Sequence, residues 1–218
     1  MSRTDDLRSS VGPLWEKTVF HPFVTELGDG TLRAAVFRTY FEQDHLFLKS
    51  WIALMCAGIA KAPDFDGARP LAAFVHLALG GEEGLFQEYF REEGMTHDQV
   101  RRLKHLPTGL AYCTYLDKIA HEGSYYDIIT ALLGIEWPYL DWGKWLVGQG
   151  KSPGNKYYQT WIDIHAGPDL EGFVTWMRRT LDEANIPDVS GLEEVFGAVL
   201  RYEYLFWEMA YKGEEWPR

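Results

Sequence analysis

At 218 residues, 46% of them hydrophobic and 15% aromatic, the chain can bury one large core, and nothing in it demands a second domain. A formal net charge of −11, with no basic cluster longer than the pairs Arg101-Arg102 and Arg178-Arg179, argues against a nucleic-acid partner, whose phosphates would be repelled. No apolar run approaches a membrane span, and the polar start MSRTDDLRSS lacks the apolar segment of a secretory signal, so the expected location is the cytoplasm. Hydrophobic periodicity predicts helices over 4–18, 20–28, 32–61, 68–94, 96–104, 108–122, 125–149, 154–165, 169–185 and 190–213. Their ends carry helix punctuation, including Gly28-Asp29-Gly30, Pro63, Gly94 before Thr96, Gly123 before Ser124, and Pro187. No strand alternation competes, and GQGKSPGN (148–155) reads as a surface loop. The expectation is an all-α single domain over 1–218, larger than a four-helix bundle. Cys56 and Cys113 both lie in apolar helical patterns and read as reduced core thiols.

Four helices carry residues able to build a binding site. In the predicted helix 32–61, Asp44, Phe47 and Trp51 share one face at i, i+3 and i+7. A carboxyl group between aromatic walls can hold a flat, nitrogen-bearing ring; the same spacing also fits a core helix whose acid reaches solvent. Glu42 and His45 form an E-x-x-H, the spacing of helical di-iron ligands, but no second copy exists, and a solvated Glu42 with a packed His45 is the simpler reading. In TALLGIEWPYLDWG (130–143), Ile135, Tyr139 and Trp142 share a face, whereas Glu136 is turned about 100° away with Leu140 and Gly143. Pro138 inside this helix is expected to kink it and open space for a ligand. Tyr112 and Tyr115 add phenols on another helix, as core or as ligand contacts. In RYEYLFWEMAY, Glu203 falls on the apolar face with Phe206, Trp207 and Ala210, while Glu208 points elsewhere. A carboxylate on a buried face is paired, protonated or working, because leaving it charged and alone is costly.

The segments HPFVTELGDGTL, FRTYFEQDHLFL, AYCTYL, the W-x-Y of Trp137 to Tyr139, YYQTWIDIHAGPDL and YEYLFWEMAY, in this order and over nearly the whole chain, resemble the TenA family. The resemblance implies a heme-oxygenase-like helical bundle, usually a homotetramer and otherwise a dimer. It also implies cleavage or hydrolysis of thiamin-derived aminopyrimidines in thiamin salvage, with no heme, metal or other cofactor. Carried over by motif, Asp44 matches the acid that binds the pyrimidine nitrogen and amino group, Tyr112 an active-site tyrosine, and Tyr139 a pocket tyrosine. Glu203 matches the catalytic acid/base and Phe206 a ring-stacking wall.

The departures shape the expected chemistry. Ile135 stands where many members have a nucleophilic cysteine, Phe47 where a tyrosine is common, and His165 about where another tyrosine is expected. The chain therefore resembles the cysteine-lacking branch, which acts on aminomethyl- or formylaminomethyl-pyrimidines. On that reading Glu203 takes a proton from water and then protonates the leaving amine, Tyr112 steadies the developing charge, and Glu136 is a reserve catalytic group. His165 could act as a base, although its place near a helix end also fits a cap or surface residue. Two other readings remain open: a non-catalytic pyrimidine-binding protein on the same fold, and a metal-dependent oxidase.

Overall fold

The protein is described by a computed structural model over residues 2–217. Helices α1 (Arg3–Ser10), α2 (Pro13–Val19) and α3 (Pro22–Asp29) lead into the long α4 (Ala34–Lys61). Then follow α5 (Phe65–Gly80), α6 (Glu82–Glu92), the short α7 (His97–Arg101), α8 (Pro107–Glu122) and α9 (Tyr125–Gly148). The chain ends in α10 (Lys156–Ala166), α11 (Pro168–Glu183) and α12 (Ser190–Lys212). Among the described residues there is no strand.

Helix α9 is the axis of the molecule. Every residue from Ile128 to Leu140 is buried, as expected of a helix that is apolar on all sides. Its Ser124 cap closes a capping box with Asp127, satisfying two otherwise orphan N–H groups. Helices α10, α11 and α12 pack around α9, with α4 beside it and α8 against α4. Helical geometry continues through Pro138, which leaves one backbone bond of α9 unmade without ending it.

Two predicted helices are each divided in two. The stretch 4–18 breaks at Gly12, whose φ of 54° is left-handed, and Pro13 then starts α2 with its fixed φ. The stretch 68–94 breaks at Gly80-Gly81 into α5 and α6, because two adjacent glycines weaken a helix by about 1 kcal/mol each. The second finding matters for the site, since it places Glu82 at the first position of a new helix. Cys56 corrects another expectation: it lies on the outer face of α4 and is exposed, whereas Cys113 is buried; both are free thiols.

The buried side chains form one core rich in aromatics. Trp207 stacks on both Phe23 and Tyr40, with ring centroids 4.6 and 5.0 Å away, and those two rings touch each other at 4.8 Å. On the far side of α9, Trp137 lies between the guanidinium groups of Arg8 and Arg178, 5.2 and 4.2 Å from its ring centre. These contacts fix α1 and α11 onto α9 and hold the walls of the cavity described next.

Candidate active site

A cavity of about 340 Å³ opens between α4, α5, α6, α8, α9, α10, α11 and α12. All nine residues selected from the sequence line it: Asp44, Phe47, Tyr112, Ile135, Glu136, Tyr139, His165, Glu203 and Phe206. They come from α4, α8, α9, α10 and α12, so folding joins positions up to 162 residues apart. Among the described residues, no lysine or arginine lines the cavity, whereas six carboxyl residues do: Asp44, Glu82, Glu136, Asp163, Asp169 and Glu203.

Glu203 and Tyr112 form its chemical centre. Both are buried, and the Tyr112 hydroxyl donates a short hydrogen bond to Glu203 Oε1. Burial pushes the Glu203 carboxyl up to about 8; the Tyr112 bond opposes this and the charge of Glu136 adds to it. Glu203 is therefore mostly protonated at neutral pH. Tyr112 is itself braced by Tyr202, stacked at 4.9 Å, and touches Phe47 at 5.0 Å. Phe206 closes the same wall, 5.7 Å from Phe47.

Asp44 is 7% exposed, and its Oδ2 has no hydrogen-bond partner. Burial first, then the charges of Glu82 and Glu203, hold its carboxyl well above the usual range. A protonated carboxyl offers one O–H donor and one C=O acceptor side by side. An aminopyrimidine edge offers the complement, a ring nitrogen that accepts and an amino N–H that donates. An unpaired buried oxygen is costly to keep, and a ligand edge would satisfy it.

Glu136 corrects the sequence-based expectation about its direction. Although it is turned from the Ile135–Tyr139 face, it lines the same cavity, because the pocket wraps around more than one side of α9. Its Oε1 accepts a hydrogen bond from Trp51 Nε1 at 2.7 Å, and burial raises its carboxyl to about 8. Ile135 is 5% exposed and offers only an apolar wall where a thiol could have stood. Tyr139 pairs with the hydroxyl of Tyr40 at 3.0 Å.

His165 is neither a cap nor a surface residue. It is buried against Tyr139, Trp142 and Trp161, and its Nδ1 donates to the Trp161 carbonyl at 2.7 Å. Burial lowers it to about 4, so the ring is neutral near pH 7 and Nε2 is its acceptor nitrogen. Gly143 permits this placement: a Cβ there would stand 2.7 Å from the His165 carbonyl carbon, so α9 and α10 meet backbone to backbone.

Elsewhere, Glu42 accepts from Arg38 Nε at 2.9 Å, and His45 packs edge-on against Phe86 and Phe90, so the E-x-x-H pair diverges. Among the described residues, no group of three His, Cys, Asp or Glu side chains is arranged to hold a metal. Glu208 pairs with His21 at 3.0 Å, outside the cavity. The sequence reading missed Trp161, Phe74 and Glu82. Trp161 and Phe74 sit in ordinary amphipathic patterns, and Glu82 lies in GGEEG, which reads as a solvated turn.

The chain matches the model of the TENA/THI-4/PQQC family over residues 8–213 and belongs to that family. It is 30% identical to an aminopyrimidine aminohydrolase of Halalkalibacterium halodurans, covering 99% of this chain and 98% of the relative. It is 29% identical to the aminopyrimidine aminohydrolase of Bacillus subtilis, covering 99% and 92%. A TenA homologue from P. horikoshii superposes with a TM-score of 0.88 at 24% identity, covering 98% of this chain and all of that one. A heme oxygenase-like domain from Shewanella denitrificans superposes at 0.70 with 15% identity, covering 98% and 94%. The fold is thus the heme-oxygenase-like bundle expected from the sequence.

Proposed function

We propose that the protein hydrolyses a C–N bond of thiamin-derived aminopyrimidines, with aminomethyl- or formylaminomethyl-pyrimidine as substrate, in thiamin salvage and without a cysteine nucleophile. The observation that carries this reading is the Glu203–Tyr112 pair inside an aromatic cavity that also holds the unpartnered Asp44 oxygen. In this reading Asp44 grips the ring edge, Phe47 and Phe206 supply walls, and Ile135, Tyr139 and His165 shape the rest of the pocket.

Proton movement follows from the resting state of Glu203. With a neutral N-formyl arm bound, water adds to the formyl carbon and the formyl C–N bond breaks; the protonated carboxyl donates to the leaving nitrogen and is reprotonated by the proton that the water gives up, releasing formic acid and the amine. With an aminomethyl arm, the arriving ammonium favours the carboxylate of Glu203, which takes a proton from water as the C–O bond forms and the C–N bond breaks. The departing ammonia then recovers that proton and leaves as ammonium. Tyr112 steadies charge beside Glu203 throughout, and Glu136, anchored by Trp51, tunes the same proton and stands in reserve.

The working unit is residues 1–218 as one TenA-like domain, in a cytoplasmic homo-oligomer, tetramer or dimer. No helix among the described residues is long and apolar enough to cross a membrane.

The test is mass-spectrometric turnover of thiamin, the aminomethyl-pyrimidine and its N-formyl derivative by wild type and Glu203→Gln. Product from wild type alone supports the reading. Equal rates from Glu203→Gln remove Glu203 from its role, and binding without turnover by wild type moves the protein to a pyrimidine-binding function.

A further inference from the structure

Of the three cavity acids that the reaction just described does not use, Glu82, Asp163 and Asp169, Glu82 is the most enclosed. Glu82 opens α6 directly after the Gly80-Gly81 break and lines the cavity with Leu77, Ala78 and Gly81. It is half-buried, less enclosed than Asp44, Glu136 or Glu203, so it stands nearer the solvent end. Glu82 lines the same cavity as Asp44 of α4, Glu136 of α9 and Glu203 of α12, and its charge raises the carboxyl groups of Asp44 and Glu136.

With no lysine or arginine among the described wall residues, burial raises these acids toward their neutral forms, Glu82 to about 7, and a ligand's positive charge is the partner that would let one of them ionise. Asp44 Oδ2, buried and unpartnered in the same cavity, is an independent sign that a polar ligand group belongs there. Asp163 and Asp169, exposed at the rim, extend the negative lining outward.

We propose that Glu82 is a specificity-determining residue that binds the ammonium group of the substrate's side arm and selects a cationic aminomethyl-pyrimidine over its neutral N-acylated forms. The proposal rests on reading the cavity as an aminopyrimidine site. An aliphatic aminomethyl group is protonated near pH 7, as a lysine amine is, whereas its formamide carries no charge. The two ligands share one ring and differ chiefly in the feature that Glu82 would sense.

The experiment is calorimetric binding of the aminomethyl ligand and its N-formyl derivative to wild type, Glu82→Gln and Glu82→Asp, with turnover measured on the same preparations. Wild type is expected to bind the amine more tightly than the formamide by about tenfold or more, as one partly desolvated ion pair allows. Glu82→Gln should collapse that ratio, and Glu82→Asp should retain most of it. A ratio that survives Glu82→Gln, or both ligands weakening by the same factor, overturns the proposal while wild-type turnover leaves the hydrolase reading standing. Failure of wild type to bind either ligand overturns both.

Discussion

Trp51 Nε1 and Glu136 Oε1 lie 2.7 Å apart inside the cavity, which ties the wall of α4 to the central helix through a carboxyl group. A hydrogen bond of this kind stabilises by about 1.5 to 3 kcal/mol when the acceptor is charged. Glu136→Gln keeps an oxygen for the indole donor and removes only the titrating group. If Glu136 takes part in proton transfer, the variant folds with near-native melting behaviour and loses about 100-fold or more in kcat. A fall of less than threefold restricts Glu136 to bracing Trp51.

Tyr112→Phe removes the donor that holds Glu203 down, so the Glu203 carboxyl should rise above about 8. Glu136→Gln acts oppositely, because the Glu136 charge raises its neighbour. With the neutral N-formyl substrate, kcat/KM of wild type is expected to fall as pH rises through about 8. That midpoint belongs to the interacting acids together. It should move up in Tyr112→Phe and down in Glu136→Gln, and a midpoint shared by all three proteins removes Glu203 from the titration.

The same raised groups make stability depend on pH. Glu203 and Glu136 are protonated up to about 8 in the folded chain, against about 4.5 for the ordinary group. Between those limits the native state binds more protons than the unfolded one, so stability falls as pH rises. The contribution is complete below about 4.5 and gone once pH has passed about 8, each tenfold change in proton affinity being worth about 1.4 kcal/mol. Thermal melting should come lower at pH 9 than at pH 6, and Glu203→Gln should flatten that dependence. A melting temperature that rises from pH 6 to 9 in wild type contradicts this.

The two thiols should separate cleanly. Cys56 is exposed, whereas Cys113 is buried and raised to about 11, out of reach of the thiolate form. A disulfide reagent at pH 8 should modify one thiol quickly in the native protein and the second only after denaturation. Hydrolase activity should survive the first modification, because neither sulfur lines the cavity. Loss of activity in step with the first thiol would make the mechanism cysteine-dependent after all.

The fold was readable where local and tertiary forces agree. Ser124 with Asp127 and Thr96 with Gln99 form the caps that their spacing suggests, and α4 and α12 run nearly as their periodicity indicates. Asp44, Phe47 and Glu203 stood out because an acid on an apolar stripe breaks a pattern. Glu136 was harder to place: a one-face argument suits a surface helix, and α9 is enclosed on every side. Glu82 broke no pattern, since an acid after two glycines looks like a solvated turn until α5 and α6 are seen to end at the cavity. Cys56 shows the converse, an apolar-looking stretch of α4 whose outer side no other helix covers.

The absence of any lysine or arginine among the described residues of the cavity walls also bears on which forms of the ring bind. A phosphate ester would bring close to two negative charges into a partly buried, carboxyl-lined space in which no described wall residue supplies a cation to receive it. Esterification of the pyrimidine's hydroxymethyl group to a phosphate should therefore weaken its binding to this pocket.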